Sequence, residues 1–377
     1  MRITLWLALV VIAVWEMQDS QTRPREVTRT GTPAPVSQPS NPIHKQIAGR
    51  FAPIFYQGLG ESPRSDYITN FDFDGDWKGD NNWWNLDNRA FPLRAYLYYS
   101  LTETTTHYFI HYALFHPRDY KGGLVKSAVL ETLMGEGMRR LGKDPTGGLA
   151  DDVALSHEND LEGCLVVVAK NGKELTVQFV ETMAHNRYLK YCPGTGQKDV
   201  CEAIEMDGER PLIFVEPKGH GPARYTGDRQ QLKNAVNGVL VYRYTGQAED
   251  HDKITGKLIG YDLQAVYGTL WARAQGSENE TYGETQDYQT RAFFVLQADK
   301  SSAKTELKLG ALGSAFRGTV GFKNKARPPW GWFDSSEKDR PLGEWFFDPA
   351  AVVARHFNLG QDFATAYVYN PYFKIGQ

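Results

Sequence analysis

Short apolar runs, alternating or continuous and cut by Gly, Pro, Asn and Asp, dominate this 377-residue chain. Runs at 51–56, 94–101, 106–115, 161–169, 174–183, 211–216, 239–244, 258–267, 290–297 and 315–322 read as strands between turns. Helical spacing is rare. Val129, Leu130, Leu133, Met134 and Met138 repeat with it, which predicts a helix over 126–141. A short helix is predicted to start at Asp348, with Asp as N-cap and Pro349 at the first helical position. The expectation is a mostly β protein, an antiparallel β-sandwich with a few short flanking helices and long loops.

One pair of runs carries candidate chemistry. Leu161 to Ala169 leads into Asn171-Gly172, and a second run follows from Leu175 to Val180. Asn-Gly between such runs predicts a two-residue hairpin turn, because both central residues need positive φ. With Lys170 and Lys173 flanking that turn, Glu162 faces Glu181 and Glu158 faces His185. Side chains alternate along a strand, so Asp160 and Glu162 share one face and His185 joins it from across the ladder. Two carboxylates and an imidazole then converge at the open end of one hairpin, the outline of a metal site. His157 has the opposite parity and must swing in from the preceding loop. Acidic residues on one strand face are ordinarily just a solvated surface, so spacing alone leaves both readings open.

The spacing His157-x-x-Asp160-x-Glu162 resembles the signature heptapeptide of the necrosis- and ethylene-inducing peptide-like proteins. The upstream segment His111-Tyr-Ala-Leu-Phe-His-Pro-Arg-Asp119 resembles the aromatic strand that ends in Pro-basic-Asp in that family. Vacuolar-sorting "sixty-two"-like proteins are similar further on, at Ala184-His185-Asn186 and Lys218-Gly219-His220-Gly221. The likeness covers roughly residues 48–225. It implies a β-sandwich with a divalent cation at the end of the sheet, and it singles out Asp119, His157, Asp160, Glu162, His185 and His220. It also implies that Gly219-His220-Gly221 sits beside the cation. The family motif has a second His, a Trp and a leading Gly where this chain has Asn159, Leu161 and Ser156. The membrane-contacting parts of the cytolysins have no residue-by-residue match here.

Composition narrows the partners. Hydrophobic content of 41% and aromatic content of 13% support a sizeable core. A net charge of −3 leaves no basic footprint, so nucleic acid is not an expected partner. Met1-Arg2 followed by the apolar stretch Ile3 to Trp15 reads as a secretory leader or an N-terminal anchor over 1–17. Residues 18–45, rich in Ser, Thr, Pro and Gln, read as a flexible linker, and 46–377 as a single β-sandwich-type domain with insertions. An exported protein, secreted or held in the cell envelope, is the expectation.

Other constellations are weaker. Asp72, Asp74, Asp76 and Asp80 alternate around Gly75 as in a calcium loop, but Trp83 stands where an EF-hand needs Glu. An acidic turn is the plainer reading. Among three cysteines, Cys192 and Cys201 close a short loop and are expected to bridge, leaving Cys164 buried and free. Nucleophile, phosphate-loop and dinucleotide motifs are missing from the sequence. Trp83-Trp84 and the stretch Arg327 to Phe333 can serve either as sugar-stacking platforms or as core.

The expected cofactor is one divalent cation, Mg2+ or Ca2+, with Mn2+ or Zn2+ allowed by the histidines. The expected ligands are Asp119, Asp160 and Glu162 with His157 or His185. The expected function is binding of a glycan, glycolipid head group or phosphate-bearing ligand through that ion, with membrane contact within its scope. The alternative is a metal-dependent hydrolase using His185 or His220 as general acid.

Overall fold

The structure, a computed structural model, describes residues 42–122, 156–275, 290–308, 327–332 and 343–376. Helix α1 (Pro42–Phe51) leads into strand β1 (Ile54–Gly58). The one-turn helix α2 (Asn82–Asn85) precedes a meander of β2 (Tyr96–Thr104), β3 (His107–Asp119), β4 (His157–Asn171), β5 (Glu174–Ala184) and β6 (Arg187–Pro193). Then come β7 (Glu202–Ile204), β8 (Met206–Asp207), β9 (Arg210–Val215), β10 (Pro222–Arg224), β11 (Val239–Tyr244) and β12 (Leu258–Ala265). A hairpin of β13 (Thr290–Leu296) and β14 (Ser302–Lys308) stands apart from the main sheet. Helices α3 (Ala272–Gln275), α4 (Glu344–Phe347) and α5 (Pro349–His356) and strand β15 (Tyr367–Tyr369) complete the α-helices and strands of the described residues.

The mostly β expectation holds, but the layout differs from an antiparallel sandwich. One mixed 13-stranded sheet runs β10-β9-β1-β11-β12-β2-β3-β4-β5-β6-β7, with β15 and β8 pairing off this path. The β1–β9, β11–β12, β12–β2 and β6–β7 pairs are parallel. The sheet curls until its two edges meet. Arg224 on β10 donates to the Ala203 carbonyl on β7 at 3.2 Å and pairs with Glu202 at 3.0 Å. An inward face can therefore be buried without a second sheet to pack on.

Two cores follow from that curl. Phe55, Leu97, Tyr112, Val166, Ile213 and Tyr261 fill the inside, closed by Ala48 and Phe51 of α1. Tyr98, Phe109, Leu165, Val167 and Phe179 form an outer core under Trp330, Trp332, Trp345 and the β13–β14 hairpin. Residues 165–168 are buried on both faces, which explains their unbroken apolar run.

The predicted β4–β5 register is corrected. The turn centres on Gly172 and Lys173, with Gly172 at φ +67 and Asn171 opposite Glu174. A bulge between Val167 and Val168 then leaves Gln178 as the extra residue of β5. One extra residue reverses the parity of everything beyond it. Glu181 consequently pairs with Leu165 rather than Glu162 and faces the outer core. There its oxygens meet Trp345 Nε1 at 2.7 Å and His356 Nδ1 at 2.5 Å. His185 has left the strand altogether. It shares a left-handed two-residue turn with Asn186 between β5 and β6, at φ +51 and +56.

Asp348 precedes α5 and Pro349 is its first residue, as the sequence predicts, but the Asp348 carboxylate accepts from Tyr367 Oη at 2.8 Å. α1 begins at Pro42, inside the stretch expected to be linker. The predicted helix over 126–141 and strand over 315–322 lie outside the described residues, as do 1–17 and most of 18–45. Trp330 and Trp332 are buried in the outer core, so that loop is packing rather than a stacking platform.

Candidate functional site

The paired ends of β3 and β4 gather the acidic and imidazole groups. The antiparallel register sets His116 opposite Asp160, Arg118 opposite Glu158 and Asp119 opposite His157. Pro117 and Asn159 fall between these pairs, and Pro has no N–H to lose from the ladder. Asn159 takes φ +58, a conformation Asn tolerates better than most residues. Its side chain ties the site to the preceding loop, donating to the Gly79 carbonyl at 2.9 Å and accepting from Asn82 at 2.7 Å. Glu158 accepts from the Trp83 backbone N–H at 2.7 Å, while the Arg118 guanidinium stacks over the Trp83 ring. The α2 turn is thus pinned to the start of β4, with Trp83 buried and Trp84 turned outward.

At the centre lies a chain of charges. Asp160 Oδ2 accepts from His220 Nδ1 at 2.8 Å, and Asp66 Oδ1 meets His220 Nε2 at 3.3 Å. Asp66 also accepts from the backbone N–H groups of Gly60 and Lys218, at 2.7 and 2.8 Å. Facing a carboxylate on each side, His220 donates from both nitrogens and is an imidazolium. Burial alone would lower its pKa, but Asp160 and Asp66 outweigh that and raise it to about 9. Burial works equally against ionised Asp160, yet the His220 hydrogen bond drives its pKa well below the usual carboxylate range. His220 adopts φ +50, a strained conformation that the two carboxylates hold in place.

The ring of His116 stacks on His220, with centroids 3.7 Å apart and planes 6° from parallel. Burial, reinforced by the His220 charge, keeps His116 neutral. Its Nε2 donates to Gln57 Oε1 at 3.1 Å, since the Gln57 amide nitrogen faces the Gly58 and Glu216 carbonyls. That tautomer leaves Nδ1 as a buried acceptor without a hydrogen-bond partner. Among the described residues, His116, Asp160 and His220 form a group whose donor atoms all lie within 4.8 Å of one another. As an imidazolium with a carboxylate at each nitrogen, His220 has no lone pair to offer an ion. A shared ion would need His220 to give up a proton and leave one of those carboxylates.

Asp119 stands at the end of β3, past the Arg118–Glu158 pair. It is 1% exposed, with Oδ2 at 2.7 Å from Lys121 Nζ and 3.4 Å from His157 Nε2. Oδ1 is buried and has no hydrogen-bond partner. Burial raises its pKa; Lys121 and His157 oppose that, and nearby Asp160 adds to it. An anion so incompletely compensated suits a divalent cation.

The chain is similar to solved necrosis and ethylene inducing protein structures. The non-toxic HaNLP3 protein matches at 16% identity and a TM-score of 0.31, covering 64% of this chain and 85% of that one. NLPPya in complex with mannosamine matches at 15% identity and a TM-score of 0.34, covering 67% and 87%. Protein 2 of this type from the causal agent of cocoa's witches' broom disease matches at 14% identity and a TM-score of 0.27, covering 65% and 83%. Neither a family model nor a curated protein matches the sequence. With superpositions this loose, neither the ligands nor the activities of those proteins pass to this chain.

The remaining expected residues fall as follows. Glu162 lies opposite Leu114, on the same face as Asp160 and two residues further along β4. His185 is open to solvent and pairs with Glu216 at 2.9 Å rather than with Asp160. Gly219 and Gly221 do flank the central imidazole, but the left-handed positions are Lys218 and His220. The acidic loop uses its carboxylates locally. Asp72 accepts from Asn70 at 2.8 Å, Asp74 from Asn85 at 2.7 Å, and Asp76 from the Lys78 N–H at 2.7 Å, while Asp80 is exposed. Cys192 and Cys201 are bridged, with Cα atoms 5.7 Å apart, and Cys164 is buried and free.

Gln57, Asp66, His116 and Lys121 were not singled out by the sequence. His116 alone had a legible signal, since it sits on the same strand as Asp119 at the parity that faces Asp160. Asp66 arrives from a turn at Pro63–Asp66, 154 residues from His220, with no local pattern to mark it.

Proposed function

We propose that this chain is a divalent-cation-dependent binding protein whose ion is held where β3 ends and β4 begins. The observation that carries the reading is the pair of buried carboxylates Asp119 and Asp160, of which Asp119 keeps a buried oxygen without a hydrogen-bond partner. Asp119, Asp160 and Glu162 would supply oxygen donors and His157 a nitrogen once their side chains draw in, since among the described residues the donor atoms within 4.8 Å of one another are those of His116, Asp160 and His220. When bound, the ion offers a positive centre to hydroxyl or phosphate oxygens of a glycan, glycolipid head group or related ligand. Asp66 and His220 fix the Asp160 carboxylate in position, and Glu158 and Arg118 fix the aromatic α2 turn beside it. The Cys192–Cys201 bridge and the apolar run Ile3 to Trp15 support export, because such bridges persist in oxidising compartments.

Calorimetric titration of chelator-treated protein with Mn2+, Mg2+, Ca2+ and Zn2+ tests the ion. One site is expected, lost in Asp119→Asn and Asp160→Asn, and silence with all four ions refutes the reading. Glycan and lipid arrays run with and without chelator then identify the ligand.

A metal-dependent hydrolase is the second reading, and it draws on His185. Its exposed imidazole pairs with the Glu216 carboxylate, an arrangement of base and orienting acid. His220 is less suited to that role, since both of its nitrogens are engaged and it is buried. Hydrolysis of activated phosphodiester or ester substrates in the presence of Mn2+, abolished by His185→Gln, would favour this reading over binding alone.

A further inference from the structure

Two segments close around the ammonium of Lys121. Asp119 ends β3, and Lys121 folds back over it so that Nζ lies 2.7 Å from Asp119 Oδ2, with only 14% of the lysine side chain exposed. The Lys121 backbone N–H donates to Ser156 Oγ at 2.9 Å, which fixes the root of that side chain beside the start of β4. From the other side, Gly219 faces the amine. A Cβ at that position would sit 2.7 Å from Lys121 Nζ. Gly219 is not required for a left-handed turn, because Lys218 and His220 supply the positive φ values of +73 and +50. Its missing side chain makes room for the ammonium.

A buried carboxylate is costly without a positive partner, so Asp119 needs one whether or not an ion is bound. An ammonium and a divalent ion at the same carboxylate would stand a few ångströms apart and repel strongly in that low-dielectric setting. The two cations are therefore alternatives. We propose that Lys121 is an internal counter-cation that holds Asp119 in the metal-free protein and must withdraw for a divalent ion to bind there. The inference rests on the cation-dependent reading above. It adds that this chain weakens its own ion affinity while keeping the empty site folded.

The test is Mn2+ binding to the chelator-treated full chain, followed by calorimetry and electron paramagnetic resonance at a single pH. Wild type is compared with Lys121→Met and with Lys121→Gln, which keeps a hydrogen-bond donor for Asp119 but removes the charge. Both variants are expected to bind Mn2+ at least about tenfold more tightly. Without metal, Lys121→Met is expected to melt earlier than wild type and to be restored by Mn2+ more than wild type is. If Lys121→Met does not fold without metal, Lys121→Gln supplies the comparison. Equal or weaker Mn2+ affinity in a folded variant overturns the role of Lys121 and leaves the cation-dependent function standing. An absence of Mn2+ binding in every protein, variants included, overturns both.

Discussion

His220 and Asp160 are 60 residues apart in the chain and 2.8 Å apart in the fold. Asp66, 154 residues from His220, closes the other side of the imidazole. An imidazolium between two carboxylates in a dry interior is stable only while all three partners are present, because each leaves the others uncompensated. The end of the curled sheet is thus held by charge as well as by packing.

That arrangement predicts an alkaline limit to stability. The His220 pKa is raised from 6.5 to about 9 in the fold. A raised value means the folded chain holds a proton that the unfolded chain releases, so the contribution is complete below pH 6.5 and lost as pH rises through about 9. The unfolding free energy of chelator-treated protein, from urea titration, should fall across that window by roughly 1.4 kcal/mol per pH unit at most. His220→Asn should be less stable at pH 6 and show a flat profile over the same range. A wild-type profile equally flat there would contradict the charged imidazole.

The acid side has the opposite cause. Burial lowers His111 to about 3 and His251 to about 4, from 6.5. His111 lies edge-on to the Trp345 ring at 4.8 Å, and burial is what holds its imidazole neutral. Below pH 6.5 the unfolded chain takes up protons that the folded chain refuses, so stability drops as pH falls toward 3. His111→Gln should flatten part of that acid slope in denaturation curves. An unchanged slope would mean His111 charges within the fold.

Gly163 marks a close approach rather than a turn. A Cβ there would collide with the Trp332 ring and the Tyr112 carbonyl. Trp332 also donates from Nε1 to the Leu161 carbonyl at 2.8 Å, so the ring cannot move away without losing that bond. Gly163→Ala should cost about 1–3 kcal/mol in chemical denaturation. A change below a few tenths would show that the outer core yields at this point.

Glu181 offers a further check on the bulge. Its buried carboxylate accepts from Trp345 Nε1 at 2.7 Å. Trp345→Phe removes the donor and should destabilise by roughly 1–3 kcal/mol beyond its lost apolar area. In a Glu181→Gln background the same change should cost less, because the two residues interact. Additive costs would place Glu181 elsewhere than the outer core.

Much of this protein was legible in its residues. Alternation and turn residues located the meander β2 to β5 to within a few positions at most ends, and Asp348-Pro349 marked the start of α5. The pairing of Asp119 with His157, and of His116 with Asp160, depends on two strands adjacent in the sheet. The bridge between Cys192 and Cys201 spans only 9 residues. Local rules suffice for such features because the partners are near in sequence or lie on one ladder. The sandwich was a different matter, since strands facing a second sheet and strands facing their own curled sheet show the same period of two. The contact of Arg224 with Glu202 and Ala203 at the opposite edge decides between them. The fate of Glu181 likewise turned on one unpaired residue, Gln178, whose position is set by packing on both faces of β5. Asp66, Lys121 and His220 reach the site from loops, and no periodicity records where a loop ends. Burial and charge compensation across the whole fold brought them together.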